Sequence, residues 1–207
     1  MNPLQHILEH QIVAIIRGAN PQDILKIVDA LEQGGVKTLE ITLNSPKALD
    51  IIAEIIDKQG DKILVGAGTV LDAESARAAL LAGARFIVSP SLNLKTIQMT
   101  KRYGAISIPG AFTPTEILKA YEHGGDLIKV FPANVGAAYL YEISGPLPYI
   151  PLLPTGGVNL QNIREFKKAG ASGFGLGSSL VNTSQQVTES YLKSLTQTAQ
   201  QFVEAVK

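Results

Sequence analysis

Eight short runs rich in valine, isoleucine and leucine recur along the chain and predict eight strands. The runs cover residues 12–16, 38–43, 63–70, 86–90, 105–110, 127–132, 149–157 and 173–180. Their first residues lie 19 to 26 positions apart, which leaves room for a helix after each strand. The segments between the runs, such as 23–35 and 73–84, carry apolar residues at helical spacing.

Capping residues and glycines mark the expected helix boundaries. Three pairs place a capping side chain before a proline, which suits the first helical position: Asn20-Pro21, Ser45-Pro46 and Thr113-Pro114. Glycines stand where helices are expected to end, at positions 34, 60, 83, 104, 124 and 170. The sequence therefore predicts a helix directly after each of the three proline pairs.

The alternation of strand and helix determines the expected fold class. About eight repeats of strand and helix predict parallel pairing through right-handed crossovers. Eight such units close into a (β/α)8 TIM barrel. A doubly wound open sheet is the alternative, but the first turn between strand and helix lacks the G-x-G-x-x-G pattern. Because no linker or low-complexity segment divides the chain, we expect a single domain over residues 1–207.

Polar residues interrupt the predicted strands near their carboxyl ends, where barrel enzymes have their active sites. They are Arg17, Glu40, Thr42, Asn44, Thr69, Ser89, Lys129, Thr155 and Ser178. Side chains alternate along a strand, so Glu40 and Asn44 share one face, and Lys129 shares a face with Phe131. If these faces form the barrel interior, Lys129 and Glu40 point into the same space.

Lys129 is the most unusual of these residues, because it lies inside the apolar run LIKVFP. A single lysine in a strand is more often an edge residue that reaches water along its stem. Barrel strands, however, are covered by helices outside and filled by side chains inside. An unpaired ammonium buried there is costly and tends to lose its proton. A neutral lysine amine attacks carbonyl carbons and forms Schiff bases.

Two glycine-rich segments follow the last two predicted strands. They read PTGGVN and GLGSS, and their backbone amides would suit an anion. The loops after the seventh and eighth strands of barrel enzymes frequently hold a phosphate. Short loops after strands often contain glycine for other reasons. The phosphate site is therefore favoured mainly because these two segments follow the seventh and eighth strands.

Composition excludes several classes of protein. The 207 residues carry a formal net charge of +0, and 18 Lys and Arg give no basic surface for nucleic acid. Cysteine is absent, which excludes disulfides and thiolate metal sites, and the three histidines show no ligand spacing. No signal-peptide pattern and no apolar run of roughly 20 residues is present. We therefore expect a cytoplasmic protein without a metal or a membrane partner.

The sequence resembles the 2-keto-3-deoxy-6-phosphogluconate (KDPG) and 4-hydroxy-2-oxoglutarate (KHG) aldolase family over nearly its whole length. The resemblance is carried by GGVKTLEITLNSP (34–46), VGAGTVLD (65–72), GARFIVSP (83–90), IPGAFTPTE (108–116), LIKVFPAN (127–134), LPTGGVN (153–159) and GLGSSLV (175–181). Each motif lies at the strand end where the family has it, which makes the set specific.

The resemblance implies roles for particular residues. It implies that Lys129, in the K-x-F-P motif, forms the Schiff base, and that Glu40, in LEITL, is the general acid/base. Thr69, Pro90, Phe131 and Thr155 match positions around the bound pyruvate moiety. The phosphate-holding loops are matched by Gly156, Gly157, Gly177 and Ser178. The family also implies a metal-independent homotrimer that needs no cofactor.

One position departs from the family pattern. Many members read L-E-[VI]-T-L-R, in which the arginine contacts the substrate carboxylate, whereas this chain has Asn44 there. Arg17 lies at the end of the neighbouring first strand and is a candidate to supply the missing guanidinium group. The combination of IIRG and LNSP also resembles relatives that act on 2-keto-3-deoxy-6-phosphogalactonate (KDPGal).

The expected function is therefore that of a class I aldolase in sugar-acid breakdown of the Entner–Doudoroff type. It would cleave KDPG to pyruvate and glyceraldehyde 3-phosphate, with KDPGal or 4-hydroxy-2-oxoglutarate as alternative substrates. Two rival interpretations are a phosphosugar isomerase, epimerase or synthase barrel, and a barrel that binds a phosphometabolite without catalysis. Neither rival requires a lysine in the sixth strand.

Overall fold

Each predicted apolar run contains a strand in the computed structural model, which describes residues 2–207. The strands are β1 (Ile12–Ile16), β2 (Thr38–Thr42), β3 (Leu64–Gly68), β4 (Phe86–Val88), β5 (Ile106–Ile108), β6 (Gly110–Ala111), β7 (Ile128–Val130), β8 (Leu152–Pro154) and β9 (Phe174–Leu176). The short strand β6 was not predicted. It is separated from β5 by Pro109, which has no N–H to donate to a strand ladder.

Helices occupy the segments between the strands. They are α1 (Pro3–His10), α2 (Ile24–Gln33), α3 (Ala48–Gln59), α4 (Ala73–Leu81), α5 (Leu94–Arg102), α6 (Pro114–Glu122), α7 (Ala137–Ser144), α8 (Ile163–Lys168) and α9 (Glu189–Ala205). No helix within residues 2–207 is long and apolar enough to cross a membrane.

The three predicted capping pairs have different outcomes. Thr113 caps α6 in a complete capping box with Glu116, which confirms that prediction. Asn20 caps a short 3-10 turn ahead of α2 instead of the helix itself. The prediction for Ser45 was wrong, because α3 begins only at Ala48 and the Ser45 hydroxyl accepts a hydrogen bond from the backbone N–H of Gly18.

The strands pair in parallel throughout. One sheet has the order β5-β4-β3-β2-β1-β9, and a second has the order β6-β7-β8. Single parallel bridges join Leu152 to Ala171 and Thr155 to Gly175, next to the ends of β8 and β9. The predicted α/β fold with parallel strands is confirmed in the form of a curled parallel sheet with helices between its strands.

Apolar side chains form two separate layers. The larger layer lies between strands and helices and includes Leu39 and Ile41 of β2. The smaller layer lies on the opposite face of the strands, where Phe86 packs with Ile7 of α1. Gly66 makes room for the Phe86 ring, since a Cβ at position 66 would overlap the ring carbons. This second face also carries the polar residues described next.

Candidate active site

Lys129 lies in the middle of β7 and is almost completely buried, with 4% of its surface exposed. Its backbone N–H donates to the carbonyl of Pro109, and its residue pairs are Gly110 and Leu153 on the flanking strands. The Nζ atom lies 5.2 Å from the centroid of the Phe131 ring, within cation–π range. The lysine is thus held by strands on both sides, with an aromatic ring as neighbour.

A cavity of about 970 Å³ opens at the carboxyl ends of the strands. It is lined by ten of the residues predicted for the site: Arg17, Thr69, Pro90, Lys129, Phe131, Thr155, Gly156, Gly157, Gly177 and Ser178. These residues follow or belong to six different strands. The parallel arrangement therefore brings together side chains that lie up to 161 positions apart in sequence, from Arg17 to Ser178.

Glu40, the other predicted catalytic residue, does not line the cavity and is fully buried, at 0% exposure. Neither of its carboxylate oxygens has a hydrogen-bond partner within residues 2–207. The side chain lies against Gly68 of the adjacent strand, where an added Cβ would overlap Oε1 of the carboxyl group. The second glycine of the GAG sequence in β3 is therefore needed to leave space for the Glu40 carboxyl group.

Burial raises the pKa of Glu40 above its ordinary value of 4.5. The positive charges of Lys129 and Arg17 act in the opposite direction, and desolvation is the larger effect. A buried carboxyl group that holds its proton more tightly than usual is suited to donate that proton during a reaction and take it back. Such perturbed carboxyls beside a cation in a cleft are typical of catalytic sites.

Arg17 and Asn44 meet at the rim of the cavity. Arg17 Nη1 donates to Asn44 Oδ1 over 3.1 Å, across the paired ends of β1 and β2. Both side chains are exposed, and Asn44 does not itself line the cavity. The guanidinium group predicted to bind the substrate carboxylate thus lies at the cavity wall, with its other N–H groups available to an anion.

The glycine loops require backbone that other residues rarely adopt. Gly156 and Gly157 both have φ of +84°, and a Cβ at Gly157 would approach the Asn134 Cα to 2.8 Å. The Asn162 side chain holds this loop by donating to the carbonyl of Gly157 over 2.9 Å. Gly177 borders open space, since a Cβ added there would have no other atom within 4 Å. Both loops thus present bare backbone at the cavity.

Sequence reasoning missed one wall of the cavity. Residues 181–184, which begin two positions after the GLGSS segment, line it, and the Thr183 hydroxyl donates to the backbone carbonyl of Arg17 over 2.6 Å. The only signal in the sequence is a run of small polar residues, NTS, after the last strand. Such a run is typical of any surface loop, so it did not identify these residues.

The histidines lie outside this cavity. His6 and His10 stack on each other in α1, with ring centroids 4.3 Å apart, and His123 caps α6. Within the described part of the chain, residues 2–207, no group of three or more His, Asp or Glu side chains is placed to hold a metal ion.

Comparison with known proteins agrees with this geometry. A family model described as "Aldolase: KDPG and KHG aldolase" matches residues 4–197. The chain is 38% identical over 178 residues to a 2-dehydro-3-deoxy-6-phosphogalactonate aldolase of Escherichia coli K12, covering 85% of this chain and 87% of the relative. It is 38% identical over 160 residues to a 2-dehydro-3-deoxy-phosphogluconate aldolase of Pseudomonas aeruginosa, covering 76% and 72%.

A solved structure described as native KDPGal structure superposes with a TM-score of 0.88 at 36% identity. The match covers 94% of this chain and 93% of that one. Family model, relatives and structure all point to the same group of enzymes. The chain therefore belongs to the KDPG and KHG aldolase family, which confirms the prediction of an aldolase, that is, an aldehyde-lyase.

Proposed function

We propose that this chain cleaves a 2-keto-3-deoxy-6-phospho sugar acid through a Schiff base on Lys129. The observation that carries the proposal is the position of Lys129: it is 4% exposed, yet it lines the cavity, and its charge acts on the buried carboxyl of Glu40. A lysine placed there has little access to bulk water but full access to a carbonyl compound in the cavity. Neither a phosphosugar isomerase nor a simple binding protein requires such a lysine.

The reaction begins with attack of the Lys129 amine nitrogen on the C2 ketone of the substrate. The resulting carbinolamine loses water and becomes an iminium ion, with Glu40 giving the proton that leaves with the hydroxide. Glu40, now ionised, takes the proton of the C4 hydroxyl. The C3–C4 bond breaks, its electrons move into the iminium to form an enamine, and glyceraldehyde 3-phosphate leaves.

The second half of the reaction releases pyruvate and restores both residues. The enamine carbon C3 takes a proton from Glu40, and water then hydrolyses the iminium to pyruvate and the free amine of Lys129, with the proton released in this step returning to Glu40. Glu40 therefore alternates between acid and base, which suits a carboxyl whose pKa is raised by burial. One buried group with no competing hydrogen bond serves all of the proton transfers.

The two ends of the substrate are held by the walls of the cavity. We assign the phosphate to the loops around Gly156, Gly157, Gly177 and Ser178, where positive-φ or unobstructed glycines leave backbone open to an anion. The carboxylate is assigned to Arg17, with Asn44 fixing one edge of the guanidinium group. Thr69, Pro90, Phe131 and Thr155 surround the pyruvate portion between these ends.

The proposed substrate is KDPG, and KDPGal is the second candidate. The two differ in the configuration of one hydroxyl group. KDPGal is supported as the alternative by the Arg17–Asn44 pair, which matches the IIRG and LNSP pattern, and by the match to the Escherichia coli aldolase named for that compound. The Pseudomonas aeruginosa relative, at the same identity, is named for the gluconate compound.

Borohydride trapping with pyruvate tests the proposed function. Reduction of the iminium should give a stable adduct at Lys129, seen by peptide mass spectrometry as the mass of pyruvate plus two hydrogens minus the mass of water. Acetate, which has a carboxylate but no ketone, is the matched control and should give none. If pyruvate leaves Lys129 unmodified under conditions in which the protein is folded, the Schiff-base mechanism is wrong.

The substrate proposal predicts a preference for phosphorylated compounds. Because the glycine loops contribute binding remote from the reacting carbons, kcat/KM should fall by about 10²-fold or more when the phosphate is removed. Pyruvate release from KDPG, KDPGal and 4-hydroxy-2-oxoglutarate, measured side by side, checks this. Faster turnover of 4-hydroxy-2-oxoglutarate than of both phosphorylated acids would contradict the assignment of the loops to phosphate.

Closure of the sheet and assembly of the chain are also proposals. We propose that the strands close into the eight-stranded barrel, supported by the parallel bridges between residues 152 and 171 and between 155 and 175. The hydrogen bond from Lys129 N–H to the Pro109 carbonyl supports closure on the other side. The single domain and the cytoplasmic location remain predictions from the sequence pattern and composition, and the homotrimer rests on the family resemblance.

A further inference from the structure

Arg17 is an exposed arginine whose main chain is held by side chains from two distant segments. The Thr183 hydroxyl donates to its carbonyl over 2.6 Å, and the Ser45 hydroxyl accepts from the N–H of the next residue, Gly18, over 2.8 Å. Asn44 holds the guanidinium group itself. Three contacts from outside β1 thus converge on two consecutive residues at the rim of the cavity.

Ser45 is itself fixed from below. Its hydroxyl lies 2.9 Å from that of Thr42, which is fully buried at the end of β2, and its own surface is only 9% exposed. A serine before a proline ordinarily caps the following helix, but α3 begins beyond it, at Ala48. The hydroxyl is instead directed at the turn that follows Arg17, where Gly18 has φ of +68°.

The hydrogen bonds of Ser45 and Thr183 reduce the entropy that Arg17 would lose on binding a ligand. A free arginine side chain loses considerable rotamer entropy when a ligand fixes it, and a mobile backbone adds to that loss. Because both hydroxyls hold the one peptide group that joins Arg17 to Gly18, part of this loss is removed before the ligand arrives. Two buried or half-buried hydroxyls used in this way have no evident role in helix capping or core packing.

We propose that Thr183 and Ser45 are positioning residues that hold Arg17 ready for the substrate carboxylate. The inference rests on the proposed function and extends it, because it makes the segment after β9 part of carboxylate recognition. Thr183 acts through the backbone of Arg17, so its loss should weaken binding of carboxylate-bearing ligands and leave the imine chemistry at Lys129 unchanged. We therefore expect loss of the Thr183 hydroxyl to raise KM while kcat stays nearly the same.

The test compares Thr183→Val, which removes only the hydroxyl, with Thr183→Ser, which keeps it. Valine should raise the pyruvate concentration needed for half-maximal borohydride trapping by about three- to tenfold, which corresponds to the loss of one neutral hydrogen bond. The KM for the sugar acid should rise by a similar factor, and kcat should stay within about twofold of the parent value. Serine should restore the parent values. Trapping of methyl pyruvate, which lacks the charged carboxylate, should be the same in all variants.

Two further variants exclude a purely structural effect. Thr196→Val removes a similar hydroxyl, which donates to the carbonyl of Ala30 on α2, far from the rim. It should lower thermal stability without changing KM. Ser45→Ala should reproduce the Thr183→Val pattern, because it releases the N–H of the same peptide group that joins Arg17 to Gly18.

A double-mutant cycle with Arg17→Ala decides whether the hydroxyl acts through the arginine. Arg17→Ala alone should raise KM by about ten- to a hundredfold, and adding Thr183→Val should cost nothing more. If valine at 183 raises KM equally with and without Arg17, or if serine fails to rescue, the inference is overturned. Failure of pyruvate to be trapped in the parent protein would instead overturn the proposed function.

Discussion

Replacing Lys129 with alanine is expected to abolish both pyruvate trapping and aldol cleavage. The loss in kcat should be on the order of 10⁴-fold or more, since no other group in the cavity can form the imine that accepts electrons from the C3–C4 bond. Pyruvate release from KDPG, followed continuously, gives kcat, and mass spectrometry after borohydride treatment gives the adduct. Both readouts should fall together, because both depend on the same nitrogen.

Lys129→Arg separates the charge from the nucleophile. Arginine preserves a cation near Phe131 and Glu40 but remains protonated and forms no imine, so it should be as inactive as alanine. Lys101→Ala is the matched control, because Lys101 lies in a surface ion pair with Asp126 and should keep full activity. Retention of trapping in either Lys129 variant would place the Schiff base on another lysine.

The sequence was sufficient to predict eight of the nine strands within residues 2–207 and to single out two charged residues inside them. Buried parallel strands are continuous apolar runs, so a charge such as Lys129 or Glu40 inside one stands out without any structural knowledge. The counted order of strands then places those charges at one end of the sheet. The same count predicts a phosphate site at the loops of Gly156 and Gly177, and both glycines line the cavity.

The residues that sequence reasoning missed act through contacts between distant segments. Ser45 has the local pattern of a helix cap, and only the position of Gly18 on the neighbouring strand end shows where its hydroxyl is directed. Thr183 lies 166 positions from the carbonyl it binds, and nothing in its own neighbourhood distinguishes it from an ordinary loop threonine. The role of Gly68 likewise appears only once β2 and β3 are paired.

Glu40→Gln is expected to lower kcat by about 10²- to 10⁴-fold while leaving trapping of pyruvate detectable. The amide is close in size to the carboxyl but cannot carry protons to and from the C4 hydroxyl. The Lys129 amine remains and forms the imine slowly with solvent-derived protons. Steady-state cleavage of KDPG, compared with the yield of borohydride adduct, separates the two effects. Equal loss of adduct and of cleavage would assign Glu40 to placement of the lysine instead.

The same substitution should make the protein more stable at neutral pH, and the pH dependence follows from the raised pKa of Glu40. Burial favours the protonated form of Glu40 in the native state. The contribution of this carboxyl group to the free energy of unfolding is therefore complete below about pH 4.5 and declines as pH rises toward the native pKa. Glutamine does not titrate, so the stability difference between the variant and the parent should grow over that window and then level off. Urea unfolding at several pH values measures it.

Glu116→Gln provides a control of opposite sign for the stability experiment. Hydrogen bonds from the backbone N–H groups of Thr113 and Phe112 lower the pKa of Glu116, so its ionised form stabilises the native capping box. The contribution of Glu116 to the free energy of unfolding is present above the pKa that Glu116 has in the unfolded chain, and it is lost as pH falls. The glutamine variant should therefore be less stable than the parent near neutral pH. A Glu40→Gln protein that follows this second pattern would show that Glu40 is stabilised as a carboxylate, and its role as a proton donor would have to be abandoned.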